Sequence, residues 1–195
     1  MSRTASVSRT TGETDILIEL DLDGTGKTDI STGVGFFDHM LTALGRHSLI
    51  DLRVRCEGDT WVDDHHTVED VGIALGDAIN EAIGNKRGIR RFADVAVPLD
   101  EALVQAVIDF SGRGELYWDV PIGPGKVGSF DTELGEEFFV GFARNAGITL
   151  HLRKICGSNA HHILEATFKA CARALRVACE SDPRVDDIPS TKGVL

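Results

Sequence analysis

Two periods of apolar residues divide the chain. In Leu49-Ile50-Asp51-Leu52-Arg53-Val54 apolar and polar positions alternate, and Gly147-Ile148-Thr149-Leu150-His151-Leu152 repeats that alternation, which predicts a half-buried strand at each place. Ahead of these lie Phe36–Leu44 and Glu136–Ala143, which follow helical spacing. Longer helices are predicted from Val68 to about Ile83 and from Ile163 to about Cys179. Further upstream, Glu13–Gly26 and Glu101–Gly114 each read as a strand closed by a glycine-containing turn. Each half of the chain therefore reads strand, strand, helix, strand, helix.

The halves also match in their chemistry. Asp64-His65-His66-Thr67-Val68-Glu69 answers Ala160-His161-His162-Ile163-Leu164-Glu165, so HHxxE occurs twice. The shift of 98 residues that places Ile50 on Ile148 also places His39 on Glu137. Gly84, Gly88 and Pro98 mark the seam. The pattern predicts one α+β domain over residues 1–195, built from internal repeats at about 9–90 and 97–180 that bury their helices against each other. The tail, 181–195, has two prolines and no period, and reads as an extended segment.

Composition narrows the function. With 31 acidic against 20 basic residues the formal charge is -11, which opposes a phosphate-backbone surface and argues against nucleic-acid partners. No apolar run approaches the roughly 20 residues of a membrane span, and the first ten residues lack the apolar core of a secretory signal. A cytoplasmic location is expected, with the four cysteines as reduced thiols, since none forms a CxxC pair. Neither a P-loop nor a Gly-x-Ser-x-Gly elbow occurs.

Four of the seven histidines stand in the two doublets. Neighbouring helical residues diverge by about 100°, so the two histidines of a doublet cannot grip one ion, whereas His65 with Glu69, or His66 with Glu69, share a face. Two ions, each taking imidazoles from both motifs, are the natural outcome, and mixed imidazole and carboxylate donors suit manganese or iron better than a closed thiolate zinc site. His39 is a further candidate, with Asp38 as a carboxylate that orients its ring. Glu137, its repeat partner, is the candidate carboxylate on the other side. Arg91, Arg113, Lys169, Ser190 and Lys192 are candidate anion binders, although Lys169 and Glu165 also have the spacing of an ordinary helix ion pair. Two readings that the residues leave open are a metal hydrolase acting on a small phosphorylated substrate and an assembly protein whose ions are purely structural.

Taken together, Leu22-Asp23-Gly24-Thr25-Gly26, Phe37-Asp38-His39-Met40-Leu41, Asp63–Asp70, Ala160–Ala170 and Pro189–Leu195 resemble the imidazoleglycerol-phosphate dehydratase family from about Arg9 to Leu195. The resemblance implies a layer of helices between two mixed β-sheets, of the ribosomal protein S5 domain 2-like class. It also implies removal of water from imidazole glycerol phosphate, in histidine biosynthesis, to give imidazole acetol phosphate through a diazafulvene-like intermediate.

By the same resemblance two Mn2+ per active site are held by His39, His65, His66, Glu69, Glu137, His161, His162 and Glu165. Glu137 stands where many relatives have histidine. Glu13 and Glu165 are the implied catalytic carboxylates, Glu13 as the acid/base group. The implied substrate contacts are Glu13, His39, His65 and Glu69, with Arg91, Arg113, Lys169, Ser190 and Lys192 closing on the phosphate. A homo-oligomer of about 24 subunits with active sites at subunit interfaces is implied as well.

Overall fold

The computed structural model describes residues 3–195. Its elements run β1 (Thr4–Thr10), β2 (Thr14–Asp21), β3 (Thr28–Ser31), α1 (Gly35–Ser48), β4 (Asp51–Gly58), α2 (His65–Ile83), β5 (Phe92–Leu99), β6 (Ala102–Asp109), β7 (Glu115–Asp119), β8 (Lys126–Val127), β9 (Phe130–Asp131), α3 (Leu134–Ala146), β10 (Thr149–Cys156) and α4 (Ala160–Cys179). The first sheet has the order β1-β2-β4-β3 and the second β5-β6-β10-β7, the same arrangement twice. In each the first two pairs of that order are antiparallel and the last is parallel, β3 on β4 and β7 on β10.

Alternation along the strands places one face of each sheet inward. Ile16, Ile18 and Leu20 on β2, and Leu52 and Val54 on β4, are buried, as are Val104, Ala106 and Ile108 on β6 and Leu150 and Leu152 on β10. α2 covers β1 and β2, α4 covers β5 and β6, and the helices of one sheet meet those of the other: α1 lies on α4 and α2 on α3. This is the expected α+β duplication with helices between two mixed sheets. The closest approach is α2 on α3, where a Cβ on Gly72 would stand 2.5 Å from the carbonyl oxygen of Phe138, and one on Gly76 2.6 Å from that of Phe142. Beside this contact Phe138 stacks with Phe142 and with Phe168.

Three details differ from the pattern-based reading. Each half carries one strand more than the three expected, β3 or β7, too short to give a period, and the second half adds the two-residue pair β8 and β9. The strands predicted from Leu49 and Gly147 begin two residues later, because Leu49 and Gly147 take left-handed backbone angles that end α1 and α3. α2 and α4 begin at His65 and Ala160, three residues before the apolar spacing starts, because their first turns are fixed by polar contacts. Asn159 Oδ1 accepts from the backbone N–H of His161 and His162 at 2.9 and 3.3 Å, and Asp63 Oδ1 accepts from that of His65 at 2.8 Å. Each doublet thus stands at the N-terminal end of a long helix. Among the described residues no helix is long and apolar enough to cross a membrane.

Candidate functional site

α1 and α4 bring His39, His161 and Glu165 together. Glu165 lies one turn beyond His161, and its Oε2 is 3.1 Å from His161 Nε2 and 3.3 Å from His39 Nε2. The other oxygen, Oε1, is 2.5 Å from Lys169 Nζ, one turn further along α4. Burial opposes ionisation of Glu165, but the Lys169 hydrogen bond and charge, with His39, outweigh it and hold the carboxyl at about 2. The ring of Phe36 packs edge-on against His161, which limits how that imidazole can turn. These three donor atoms all lie within 4.8 Å of one another, the one such group of three among the described residues.

The second histidine of each doublet is held differently. His162 Nδ1 lies 2.7 Å from Glu101 Oε2, and its Nε2 faces Asp100 Oδ2 at 3.7 Å. His66 Nδ1 lies 3.0 Å from Asp59 Oδ2, and its Nε2 faces Glu13 Oε1 at 3.6 Å. Glu13 and Asp59 are tied to each other through the backbone, since Asp59 N–H donates to the Glu13 carbonyl at 3.0 Å. Asp59 raises the pKa of His66 by this hydrogen bond, with Glu13 adding to it, and Glu101 raises that of His162 in the same way. In return His162, and then the backbone N–H groups of Asn159 and Ser158, hold Glu101 at about 2.

His65 and Glu69 share a face of α2 as their spacing requires, with Nε2 and Oε2 3.7 Å apart. Glu137 stands half-buried in the first turn of α3 and joins no group of three donors within the described chain. The expectation that Asp38 orients His39 is corrected: Asp38 Oδ1 instead accepts from the N–H and the hydroxyl of Thr32, at 2.9 and 2.6 Å, and so anchors the entry to α1.

The tail folds back onto the body. Gly88 N–H donates to the Asp187 carbonyl, and Asp182 N–H to that of Gly88. Arg91, Ser111, Arg113, Ser190 and Lys192 then line one cleft of about 900 Å³. Arg91 is fixed by Asp109 at 2.7 Å and by the Pro189 carbonyl at 2.7 Å, while Arg113 reaches out into solvent. Lys192 N–H donates to Ser190 Oγ at 3.2 Å, which shapes the turn. Gly112 has a φ of 73°, and a Cβ there would meet the Leu195 carbonyl carbon at 2.8 Å, so the chain end seats only against glycine. Lys169 lies on Glu165 and does not line this cleft.

Residue types alone did not single out Glu101, Asp100, Asp59 or Asp109. Glu101 had a signal, because it is the repeat partner of Glu13, yet the two carboxylates ended on different nitrogens of their histidines.

Known proteins carry the same frame. The family model described as imidazoleglycerol-phosphate dehydratase matches residues 32–175. The imidazoleglycerol-phosphate dehydratase of Acidiphilium cryptum is 63% identical over 100% of both chains, and that of Granulibacter bethesdensis 60% identical over the same share. Of solved structures, the Staphylococcus aureus enzyme of that name superposes with a TM-score of 0.83 at 40% identity, covering 92% of this chain and 99% of that one. The Pyrococcus furiosus enzyme, solved in complex with (S)-C348, superposes with a TM-score of 0.84 at 39% identity over 97% of this chain and 100% of that one. With sequence and fold matching end to end, the chain belongs to the imidazoleglycerol-phosphate dehydratase family of hydro-lyases.

Proposed function

We propose that this protein dehydrates imidazole glycerol phosphate to imidazole acetol phosphate in histidine biosynthesis, in the cytoplasm, with two Mn2+ per active site. The observation that carries the reading is the meeting of His39 Nε2, His161 Nε2 and Glu165 Oε2 on one side of α1 and α4. Glu165 Oε2 lies 3.1 and 3.3 Å from the two ring nitrogens, so three donor atoms converge on one point. The donor set, imidazole and carboxylate without thiolate, also fits manganese. His39, His161 and Glu165 would hold one ion, and His65, His66, Glu69, Glu137 and His162 supply the remaining donors. Bound there, the ions would supply Lewis acidity to the substrate's imidazole ring and so favour loss of the neighbouring hydroxyl.

The chain's own groups do the rest. Arg91, Arg113, Ser190 and Lys192 bind the phosphate dianion, with guanidinium forks, an ammonium and a hydroxyl in one cleft. Lys169 is the further phosphate contact, reached from a neighbouring copy. Glu13 Oε1 takes the proton from the carbon next to the one that loses hydroxide, and its conjugate acid then protonates the enol carbon as the ketone forms. The proton given up by the enol hydroxyl leaves with the hydroxide as water, so the net change is loss of one water. Lys169 holds Glu165 Oε1, which fixes Glu165 Oε2 on the side of His39 and His161.

The placement of Lys169 and of Glu137 supports active sites assembled between copies, in a homo-oligomer of 24. Within one chain neither joins the group it is expected to complete. The test is formation of imidazole acetol phosphate by metal-stripped protein with and without added manganese. Product only with manganese is the expected result. No product after manganese has rebound would overturn the proposal in favour of structural ions or phosphate hydrolysis.

A further inference from the structure

Glu101 lies in the tight turn between β5 and β6, next to Asp100, whose φ of 47° is forced by that turn. Its two carboxylate oxygens do different things. Oε1 accepts from the backbone N–H groups of Asn159 and Ser158 at 2.8 and 3.2 Å, which fixes the chain where it enters α4. Oε2 lies 2.7 Å from His162 Nδ1. An ionised carboxylate only accepts, so the ring nitrogen at this distance carries the proton, and the lone pair of the neutral imidazole is left at Nε2. In the other half Asp59 makes the same contact, 3.0 Å from His66 Nδ1.

We infer that Glu101 is a positioning residue that holds His162 as the Nδ1–H tautomer and presents Nε2 as a metal donor, the part that Asp59 plays for His66. The inference rests on the metal reading above. It adds to it a division of labour within the duplication. Glu13 and Glu101 occupy equivalent places at the starts of β2 and β6, but only Glu101 reaches Nδ1, because in the first half that nitrogen is already taken by Asp59. Glu13 is thereby left facing Nε2, exposed and free of an orienting task. A carboxylate on the far nitrogen also makes the ring a stronger donor, and loss of such partners typically costs about 10–100-fold in metal affinity.

Glu101→Gln separates the two tasks. Its carboxamide oxygen still accepts from Asn159 and Ser158, while its NH2 group faces Nδ1 and, as a donor, favours the opposite tautomer with the proton at Nε2. Glu101→Ala removes both contacts, and Asp59→Asn makes the same test at His66. The readouts are the melting temperature, Mn2+ titration followed by the electron paramagnetic resonance of the free ion, and 15N shifts of the histidine rings without metal.

The expected result is a Gln variant that melts with the wild type, shows a ring converted to the Nε2–H form, and binds its weakest Mn2+ about 10–100-fold less tightly. Wild-type affinity in the Gln variant, or an unchanged tautomer, overturns the inference and leaves the metal reading standing. A Gln variant that melts as low as Glu101→Ala assigns Glu101 to the loop alone and overturns it too. Wild-type protein that binds no Mn2+ removes the metal reading and the inference together.

Discussion

Asn159 Oδ1 accepts from the backbone N–H groups of both His161 and His162. One side chain therefore starts α4 and sets the frame in which the two rings leave it. Removing a cap of this kind costs about 1 kcal/mol. Asn159→Ala is expected to lower stability by that amount and to weaken manganese binding, whereas Asn159→Asp, which keeps an acceptor, preserves both. Thermal melts and metal titration of the two variants check this.

Lys192 stands in the cleft with Arg91 and Arg113. A hydrogen bond to a charged group contributes about 1.5–3 kcal/mol, or about 10–100-fold in binding. Lys192→Ala should raise KM by that factor and leave assembly and metal content unchanged. Steady-state kinetics and light scattering measure both, and unchanged kinetics would remove Lys192 from the phosphate site.

His65 and His162 belong to different motifs, yet each is expected to matter for the whole particle. His65→Ala or His162→Ala should lose bound metal and full assembly together, seen by metal analysis and size-exclusion chromatography. A metal-replete variant of normal size contradicts the shared-donor reading.

Gly72 meets the carbonyl of Phe138 with no room for a methyl group. Gly72→Ala has to push α3 away from α2, at a cost of about 1–3 kcal/mol. The variant should melt measurably lower than the wild type, and an unchanged melting temperature would show that the helices can separate freely.

Cys171 and Cys179 are deeply buried, and burial pushes each thiol up to about 12, while Cys56 is raised to about 11 for the same reason. Cys156 is exposed. Alkylation of the native protein near neutral pH should spare the first three and take Cys156, and mass spectrometry after denaturation should show all four modified.

What the sequence made legible follows from the range of each contact. The helical spacing and the strand alternation are local patterns, so all four helices and both sheet centres could be placed. The start of α4 was missed because Asn159 acts through hydrogen bonds rather than through apolar spacing. β3 was missed because its pairing with β4 crosses α1, and four residues carry too little pattern. Asp38 was misassigned since adjacency in sequence says nothing of which way a side chain turns at a helix start. Glu101 was visible as a repeat partner, but its contact with His162 spans 61 residues and appears only when β6 and α4 are packed.

Because α1 packs on α4 and α2 on α3, every helix–helix contact of this kind joins the first half to the second. Each repeat covers its own sheet but cannot bury the outer faces of its own helices, although each has the length of a small domain. The expected consequence is cooperativity: one unfolding transition for a chain that its sequence divides in two, with the isolated halves unable to hold native structure.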